Sequence, residues 1–302
     1  MKKKNILNTI GKTHLIDLDL KENQGGRLLA KLEYFNPSGS IKDRMAIFMI
    51  NRAEKSGHLK NGSTIIEATT GNTGISLAMI AAVKRYKMIA VMPNNMSTER
   101  QQLMKAFGAR VILTPKEKGP TGAIERRNEL AKMIKNSWIP GQFENRDNPL
   151  AHQLTTGQEL LIQTNGKIDA FVAGIGTGGT LVGIAYALKK ENPKIRIVAV
   201  EPNESAVING DRPGMQNIQG IGEGFIPKIV DLKIIDWTER VSSKNAENMA
   251  RFLARKNGVL VGISSGANVV AAVRVLNKLG RNKTVVTVLP DRGERYFSQN
   301  IF

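Results

Sequence analysis

The stretch AFVAGIGTGGTLVGIAYALKKE, residues 170–191, decides the fold of this chain because it divides into three consecutive structural units. The apolar run Ala170–Ala173 predicts a buried strand, Gly174–Thr180 a glycine-rich loop, and Leu181–Glu191 a helix. A strand that passes through a tight turn into a helix forms half of a βαβ unit. The stretch therefore predicts a parallel sheet covered by helices.

The same order of strand, loop and helix recurs on both sides of this stretch. Strands that alternate with helical runs in such number are typical of parallel sheets with helices on both faces. In such folds, ligands bind at the carboxyl ends of the strands. The other predicted strands are 63–68, 87–92, 110–113, 194–200, 259–262 and 284–289, and the other predicted helices are 75–86, 97–107, one ending near 135, 244–256 and 267–279.

A cluster of proline and polar residues interrupts this alternation near residues 142–152. We predict the domain junction there, because this composition is typical of a boundary. The length of 302 residues is enough for about two domains. The predicted fold class is α/β, with two domains of twisted, mostly parallel sheets flanked by helices. The smaller domain is predicted to contain residues 35–145, and the larger one residues 1–34 plus 146–302.

The composition excludes several classes of protein. Hydrophobic residues make up 41% of the chain and charged residues 23%, which is ordinary for a globular protein and argues against disorder. Cysteine is absent, so disulfides, thiolate metal sites and cysteine nucleophiles are excluded. The 3 histidines have no metal-ligand spacing, and we expect no metal site. The net charge of +18 is spread along the chain, which favours solvated faces over a nucleic-acid site.

No targeting or membrane-spanning segment is predicted. The first four residues include a basic run, but Lys12 and Asp17 interrupt the apolar segment that a signal peptide needs. Basic residues at 84, 85 and 87 break the longest apolar stretch. We therefore expect a cytoplasmic protein without membrane contact.

The loop Gly174–Thr180 matches the pattern G-x-G-x-x-G, and Glu201 ends the next predicted strand about twenty residues later. These features together are typical of a dinucleotide-binding site. Glycines let the backbone approach an anion, and a helix N-terminus supplies free N–H groups, so a single phosphate would be bound equally well. The loop therefore leaves a dinucleotide and a monophosphate open, and a tight turn without ligand is the simplest alternative.

Two further loops contain residues suited to chemistry. Thr69–Gly74 joins a strand to a helix, and its hydroxyl and N–H groups suit either a small carboxylate or a helix N-cap. Asn36–Arg44 leads turn residues into a helix whose first turn contains Lys42. A lysine at a helix start among basic residues has its ammonium form disfavoured, which suits an amine nucleophile for Schiff-base chemistry.

Four motifs together resemble the cysteine synthase family, the O-acetylserine sulfhydrylases that use pyridoxal phosphate. They are NPSGSIKDR at 36–44, TTGNTG at 69–74, GIGTGGT at 174–180 and GISSGA at 262–267. The resemblance spans nearly the whole chain and implies the tryptophan-synthase-β-like fold, or fold type II, with pyridoxal 5'-phosphate in the cleft between the domains. The segment 291–296 is similar to the B isoform and makes a B-type enzyme the expectation, although 218–227 is more similar to the A isoform.

The resemblance also assigns the site residues. It implies that Lys42 is the catalytic residue and forms the imine with the cofactor, while Asn72 hydrogen-bonds the cofactor's 3-oxygen. Ser264 is implied to face the pyridine nitrogen, where a neutral hydroxyl favours loss of a β-leaving group over transamination. The phosphate is implied to bind Gly176, Thr177, Gly178, Gly179 and Thr180, and the amino-acid substrate Thr69, Thr70, Gly71, Thr73, Gln142 and Gly220.

The implied reaction is a β-replacement in which O-acetyl-L-serine and sulfide, thiosulfate or another thiol give L-cysteine and acetate. Condensation of serine or O-acetylserine with homocysteine, as in cystathionine β-synthases, is the alternative within the same chemistry. The resemblance also implies a homodimer, and it suggests serine acetyltransferase as a partner in a complex.

Two alternatives come from other classes of protein. An NAD-dependent oxidoreductase is supported by the glycine pattern and Glu201, but it assigns no task to Lys42. A basic nucleic-acid-binding protein is supported by the net charge alone, and an aromatic content of 5% provides few side chains on which bases could stack.

Overall fold

The computed structural model describes residues 4–20, 23 and 25–302. Residues 1–3, part of the basic start weighed above as a targeting segment, lie outside this part. The described chain alternates strands with helices, as a parallel α/β fold requires. The strands are β1 Leu15–Asp17, β2 Arg27–Leu32, β3 Thr64–Ala68, β4 Lys87–Pro93, β5 Arg110–Thr114, β6 Ser137–Trp138, β7 Ala170–Gly174, β8 Arg196–Pro202, β9 Trp237–Val241 and β10 Thr284–Leu289. The α-helices are α1 Lys42–Lys55, α2 Asn72–Lys84, α3 Thr98–Ala106, α4 Gly119–Met133, α5 Asp147–Leu154, α6 Thr156–Thr164, α7 Gly179–Glu191, α8 Ser243–Asn257 and α9 Ile263–Leu279.

Two sheets organise the structure. The larger sheet has six strands in the order β1-β2-β10-β7-β8-β9, and the smaller sheet has four in the order β5-β4-β3-β6. All of these strand pairs are parallel except β1 with β2. The predicted α/β class with mostly parallel sheets is therefore confirmed. The smaller sheet uses residues 64–138, and the larger one residues 15–32 and 170–289. The domain bounds at 35–145 stay a prediction.

One predicted strand is wrong, and four strands, β1, β2, β6 and β9, were not predicted. Residues 259–262 do not form a strand, because Val261 pairs only in an isolated bridge with Arg292 and Gly262 already caps α9. The unpredicted β1 and β6 are only 3 and 2 residues long. In β2 the charged Lys31 is fully buried and interrupts the apolar run that would signal a strand.

Helices cover both faces of the larger sheet, so alternate side chains of each strand enter different cores. In β7, Val172 packs with the apolar sides of α8 and α9, while Phe171 packs with α7. Ile197 and Val198 divide in the same way in β8. Burial on both faces explains why these strands are nearly continuous apolar runs, as is typical of parallel sheets.

The fold brings several helix N-termini to one edge of the two sheets. Helix α2 follows the carboxyl end of β3, and α7 follows that of β7. The start of α1 is held beside the end of β10, because the Ile41 N–H donates to the Pro290 carbonyl at 2.9 Å. Helix N-termini carry partial positive charge and unpaired N–H groups, so this edge suits an anionic ligand. In the part of the chain that the structure describes, no helix is long and apolar enough to cross a membrane.

Candidate active site

A single cavity lies where these helix N-termini and strand ends meet. Its wall is formed by the starts of α1, α2 and α9, the loop before α7, and the segment 220–223. All but three of the predicted site residues line it. Those lining it are Lys42, Thr70, Asn72, Thr73, Gln142, Gly176, Thr177, Gly178, Thr180, Gly220 and Ser264.

Thr69, Gly71 and Gly179 are not among the lining residues, and their contacts explain why. The Thr69 hydroxyl accepts hydrogen bonds from the N–H groups of Gly71 at 2.9 Å and Gly74 at 3.2 Å, so it holds the loop together from within. Gly179 packs against Asn148, whose Oδ1 would lie 1.9 Å from an added Cβ. These three residues shape the loops that carry the cavity wall.

The loop before α7 requires glycine because a backbone segment and a side chain pass directly against it. A Cβ on Gly176 would lie 2.1 Å from the Gly220 carbonyl oxygen, and one on Gly178 would lie 2.3 Å from Val230. Gly178 also has a φ of +88°, which L side chains rarely adopt. The Thr177 hydroxyl accepts from Asn148 at 3.0 Å, which orients the loop. The result is a glycine cradle at a helix N-terminus, the geometry that binds phosphate.

Lys42 is the first residue of α1 and extends into the same cavity. Burial lowers the pKa of its ammonium group, and the nearby carboxylates of Asp291 and Glu223 oppose that shift. The turn before it is fixed by Asp43, whose carboxylate accepts from the Ser38 N–H at 2.7 Å and from the Ser38 hydroxyl. A lowered pKa increases the fraction of the Lys42 amine that is neutral, which is the nucleophilic form.

Ser264 is the second residue of α9 and is only 4% exposed. The N-cap position of α9 is Gly262, so the Ser264 hydroxyl lies inside the first turn of the helix. One turn later, Asn268 accepts from the Gly174 N–H at 2.8 Å and donates to the Val288 carbonyl at 2.9 Å. Asn268 therefore fixes the start of α9 against β7 and β10, with Ser264 in the cavity wall.

Gln142 lies in the segment between the two sheets and joins two parts of the site. Its side-chain oxygen accepts from the Thr73 hydroxyl at 2.6 Å, and its amide nitrogen donates to the Ala68 carbonyl at 2.8 Å. Gln142 is 3% exposed. It ties the loop after β3 to the segment before α5 and leaves the N-terminus of α2 open to a small carboxylate.

Sequence reasoning missed Glu223, Arg100 and Asp291 as parts of this site. Glu223 lines the cavity. Burial raises the pKa of its carboxyl and Lys42 partly opposes this, so that the pKa is about 7. Arg100 also lines the cavity, with 1% exposure, and its guanidinium carbon lies 4.5 Å from the Tyr296 ring centroid. For Glu223, its position between Gly222 and Gly224 was the one feature of the sequence that could have indicated a role in the site. Arg100 and Asp291 lie far along the chain from the four motifs' loops that they contact, so no local pattern marks them.

Glu201, which supported the dinucleotide alternative, does not face the cavity. Its carboxylate accepts from the Ile208 N–H at 2.7 Å and from the Asn209 side chain at 2.8 Å, and it is 2% exposed. Its oxygen atoms therefore stabilise the following loop. In a dinucleotide site this carboxylate would instead bind the ribose hydroxyls.

A lysine with lowered pKa, a glycine cradle at a helix N-terminus and a buried serine hydroxyl share one small cavity. This combination defines a site for pyridoxal phosphate, which needs a lysine for its aldehyde, a cradle for its phosphate and a partner for its ring nitrogen. Gly176, Gly178 and Thr180 line the cavity at the start of α7, so their backbone N–H groups and the Thr180 hydroxyl fit the phosphate group of this cofactor.

Comparison with known proteins agrees with this class. Residues 6–291 match the family model described as pyridoxal-phosphate dependent enzyme, and the chain belongs to this family. A curated relative from Staphylococcus aureus strain Mu50, named cysteine synthase, is 49% identical over 300 residues, covering 99% of this chain and 96% of the relative.

Solved structures are similar over the full chain. A cysteine synthase from Entamoeba histolytica has a TM-score of 0.94 at 42% identity, covering 100% of this chain and 91% of that one. An O-acetylserine dependent cystathionine beta-synthase from Helicobacter pylori has a TM-score of 0.95 at 42% identity, covering 100% and 99%. A hydrogen sulfide-producing enzyme from Fusobacterium nucleatum has a TM-score of 0.95 at 41% identity, covering 97% and 99%. These likenesses support the predicted fold type II.

Proposed function

We propose that this chain is a cysteine synthase, which converts O-acetyl-L-serine and sulfide to L-cysteine and acetate with pyridoxal phosphate. The observation that carries the proposal is Lys42 at the start of α1, with a lowered pKa, in the same cavity as the glycine cradle. The curated relative at 49% identity over nearly the whole chain supports the choice of reaction.

Three groups of residues hold the cofactor in this proposal. The loop from Gly176 to Thr180 binds the phosphate through N–H groups at the start of α7. Ser264 faces the ring nitrogen, and Asn72 donates to the 3-oxygen. When bound, the cofactor supplies an electron sink for the substrate's α-carbon. Because the Ser264 hydroxyl is neutral, it does not hold the ring nitrogen protonated, which keeps this sink moderate and suits prompt loss of acetate.

The amino-acid carboxylate binds at the N-terminus of α2. Thr70 and Thr73 line the cavity there, and the Gln142 side chain fixes the Thr73 hydroxyl at 2.6 Å. The first N–H groups of a helix lack intrahelical partners, so they can donate to a carboxylate. Thr69 and Gly71 act indirectly, because they hold the backbone of this loop in its shape.

Lys42 carries the proton transfers in this proposal. Lys42 lines the cavity and would hold the cofactor by its aldehyde, so its amine, once released by the substrate, could accept the substrate's α-proton and later return one. Burial lowers the pKa of this amine, which increases the fraction that is neutral and able to accept a proton. Lys42 therefore serves first as the covalent anchor and then as the base.

The assembly and the location of the enzyme are finer proposals. We propose that the enzyme is a cytoplasmic homodimer, and that serine acetyltransferase is a candidate partner of it. The support is the resemblance of the four motifs to the cysteine synthase family. Light scattering of the purified protein would test the dimer, and a monomer at micromolar concentration would contradict it.

The reaction and the anchor residue can be tested together. Purified protein should be yellow, and borohydride reduction should attach the cofactor permanently to the peptide that contains Lys42. Acetate release from O-acetylserine should precede addition of the sulfur donor. Sulfide should give cysteine faster than homocysteine gives cystathionine, and the reverse order would favour the cystathionine β-synthase alternative.

Replacing Lys42 with alanine should abolish cysteine formation, since both the anchor and the base are lost. Lys55→Ala is a matched control, because Lys55 is an exposed lysine in the last turn of the same helix. Circular dichroism should be unchanged in both variants. Retained turnover in Lys42→Ala protein would overturn the proposed mechanism.

A further inference from the structure

The side chain of Asn72 is held from two opposite sides by charged residues near the C-terminus. Its amide nitrogen donates to Asp291 Oδ2 at 2.7 Å, and its amide oxygen accepts from Arg295 Nη1. Both partners are almost fully buried, Asp291 at 0% and Arg295 at 3% exposure. We call these two residues the amide clamp.

The clamp permits only one orientation of the Asn72 amide. A carboxylate only accepts hydrogen bonds, and a guanidinium only donates them. Rotating the amide by 180° would place its oxygen against the Asp291 carboxylate and its NH₂ group against the Arg295 guanidinium. Both contacts would be repulsive and buried, where unpaired polar groups cost most. Since one N–H already binds Asp291, the second N–H of Asn72 is the group left for the cavity.

The two charged residues are themselves held in place by further contacts. The Arg295 guanidinium also donates to the carbonyl of Ser38, which lies four residues before Lys42. Asp291 Oδ2 also accepts from the Tyr296 hydroxyl at 2.9 Å, and Arg100 Nη2 lies 3.6 Å from it. The clamp therefore has a fixed position relative to the start of α1.

We propose that Asp291 and Arg295 are positioning residues that force Asn72 to present an N–H, and never its carbonyl oxygen, to the cofactor's 3-oxygen. The inference rests on the proposed function, in which Asn72 contacts that oxygen. The 3-oxygen is electron-rich, so a donor stabilises it and a carbonyl would repel it. The clamp gives a role to the C-terminal segment 291–296, for which the proposed contacts with cofactor and substrate provide none.

The test compares cofactor affinity and visible absorption of purified holoenzyme variants. Arg295→Met removes the donor that holds the Asn72 oxygen, and Asp291→Asn keeps the volume of the side chain but can donate as well as accept. Both should weaken cofactor binding by about tenfold, the effect of one hydrogen bond to an electron-rich oxygen, and shift the visible absorption maximum. Arg292→Met is the matched control, because Arg292 is an exposed arginine of the same segment, and it should change neither quantity.

A double-mutant cycle separates positioning from general stability. In an Asn72→Ala background, Arg295→Met should cause no further change in affinity or absorption, because the residue that it positions is gone. If the two substitutions weaken affinity additively, Arg295 has only a structural role and the inference is overturned. If Asn72→Ala alone leaves absorption unchanged, the inference also fails. The proposed function is tested separately, by borohydride attachment of the cofactor to Lys42 and by the reaction with sulfide.

Discussion

Glu223 illustrates how a single side chain acquires its properties from its surroundings. Burial raises the pKa of its carboxyl to about 7, and the opposing effect of Lys42 is smaller. The group is therefore protonated below neutral pH and becomes a carboxylate above it. The sequence shows only a glutamate between two glycines, so the charge state of this residue could not be predicted from its neighbours in the chain.

We expect Glu223→Gln to remove an ionisation near pH 7 from the pH dependence of acetate release. In the parent enzyme, the site gains a negative charge facing Lys42 as the pH rises through this value; in the variant it does not. Rapid-mixing measurements with O-acetylserine, without a sulfur donor, would record this profile. Glu144→Gln is the control, because the Glu144 side chain is 52% exposed and pairs only with Lys228 at the surface. Identical profiles for parent and Glu223→Gln enzymes would contradict the assignment.

At the scale of elements, the loop before α7 depends on how closely it approaches the segment that contains Gly220. The glycine pattern in the sequence predicted a loop between a strand and a helix, which the structure shows, because strand, loop and helix are consecutive in the chain. The reason for glycine at 176 is tertiary, since the Gly220 carbonyl oxygen lies 2.1 Å from the position of an added Cβ. Local pattern and long-range packing thus select the same residue.

Gly176→Ala should weaken cofactor binding by about tenfold or more, because the methyl group must push the cradle away from Gly220. Equilibrium dialysis of the cofactor would measure the effect. Gly166→Ala is the control; its Cβ would meet no atom within 4 Å, and its φ of +70° means that only backbone strain is added. The control should lower the melting temperature slightly without changing cofactor affinity. Equal cofactor affinity in both variants would show that the cradle tolerates a side chain at 176.

At the scale of the whole molecule, a buried ionic network connects segments far apart in the chain. Arg44 in α1 donates to Glu159 in α6 at 2.7 Å and to Glu33 after β2 at 2.7 Å. Lys31, fully buried in β2, donates to the same Glu159 carboxylate at 2.8 Å. Because Arg44 lies two residues after Lys42, this network anchors the first turn of the helix that begins at Lys42.

Glu159→Gln should destabilise the protein most at neutral pH and progressively less in acid. Hydrogen bonds and attraction from Arg44 and Lys31 outweigh burial and lower the pKa of the Glu159 carboxyl from 4.5 to about 2. A lowered native pKa contributes stability that is fully present above 4.5 and is lost as the pH falls toward 2. Because solvent partly screens this half-buried carboxylate, the expected loss near pH 7 is about 1 to 2 kcal/mol.

Urea unfolding at pH 7 and pH 3 would measure this difference. Glu129→Gln is the control, because Glu129 is 60% exposed in a surface pair with Arg126, and exposed pairs contribute less than about 1 kcal/mol. A Glu159→Gln protein with the same deficit at both pH values would argue against an ionic role for this carboxylate.

The sequence by itself determined the parallel α/β class and the order of strand, loop and helix. These features are local: a strand, its loop and the next helix are adjacent in the chain, so their composition and spacing contain the signal. Local composition also singled out Lys42 and the loop Gly174–Thr180 as candidates, whereas cavity residues such as Gln142 and Ser264 were named only through the resemblance of four motifs to a known family. The strand at 259–262 was wrong because an apolar run of that length also suits buried coil.

Only the tertiary structure decided which groups meet Asn72, Lys42 and Glu159. The hydrogen bond from Asn72 to Asp291 joins residues 219 positions apart, and that from Arg44 to Glu159 joins residues 115 apart. Contacts of this kind leave no period or motif in either segment, because each partner is compatible with many surroundings. The pKa of Glu223 and the orientation of the Asn72 amide depend on burial and on facing charges, and both exist only after the two sheets and their helices have packed together.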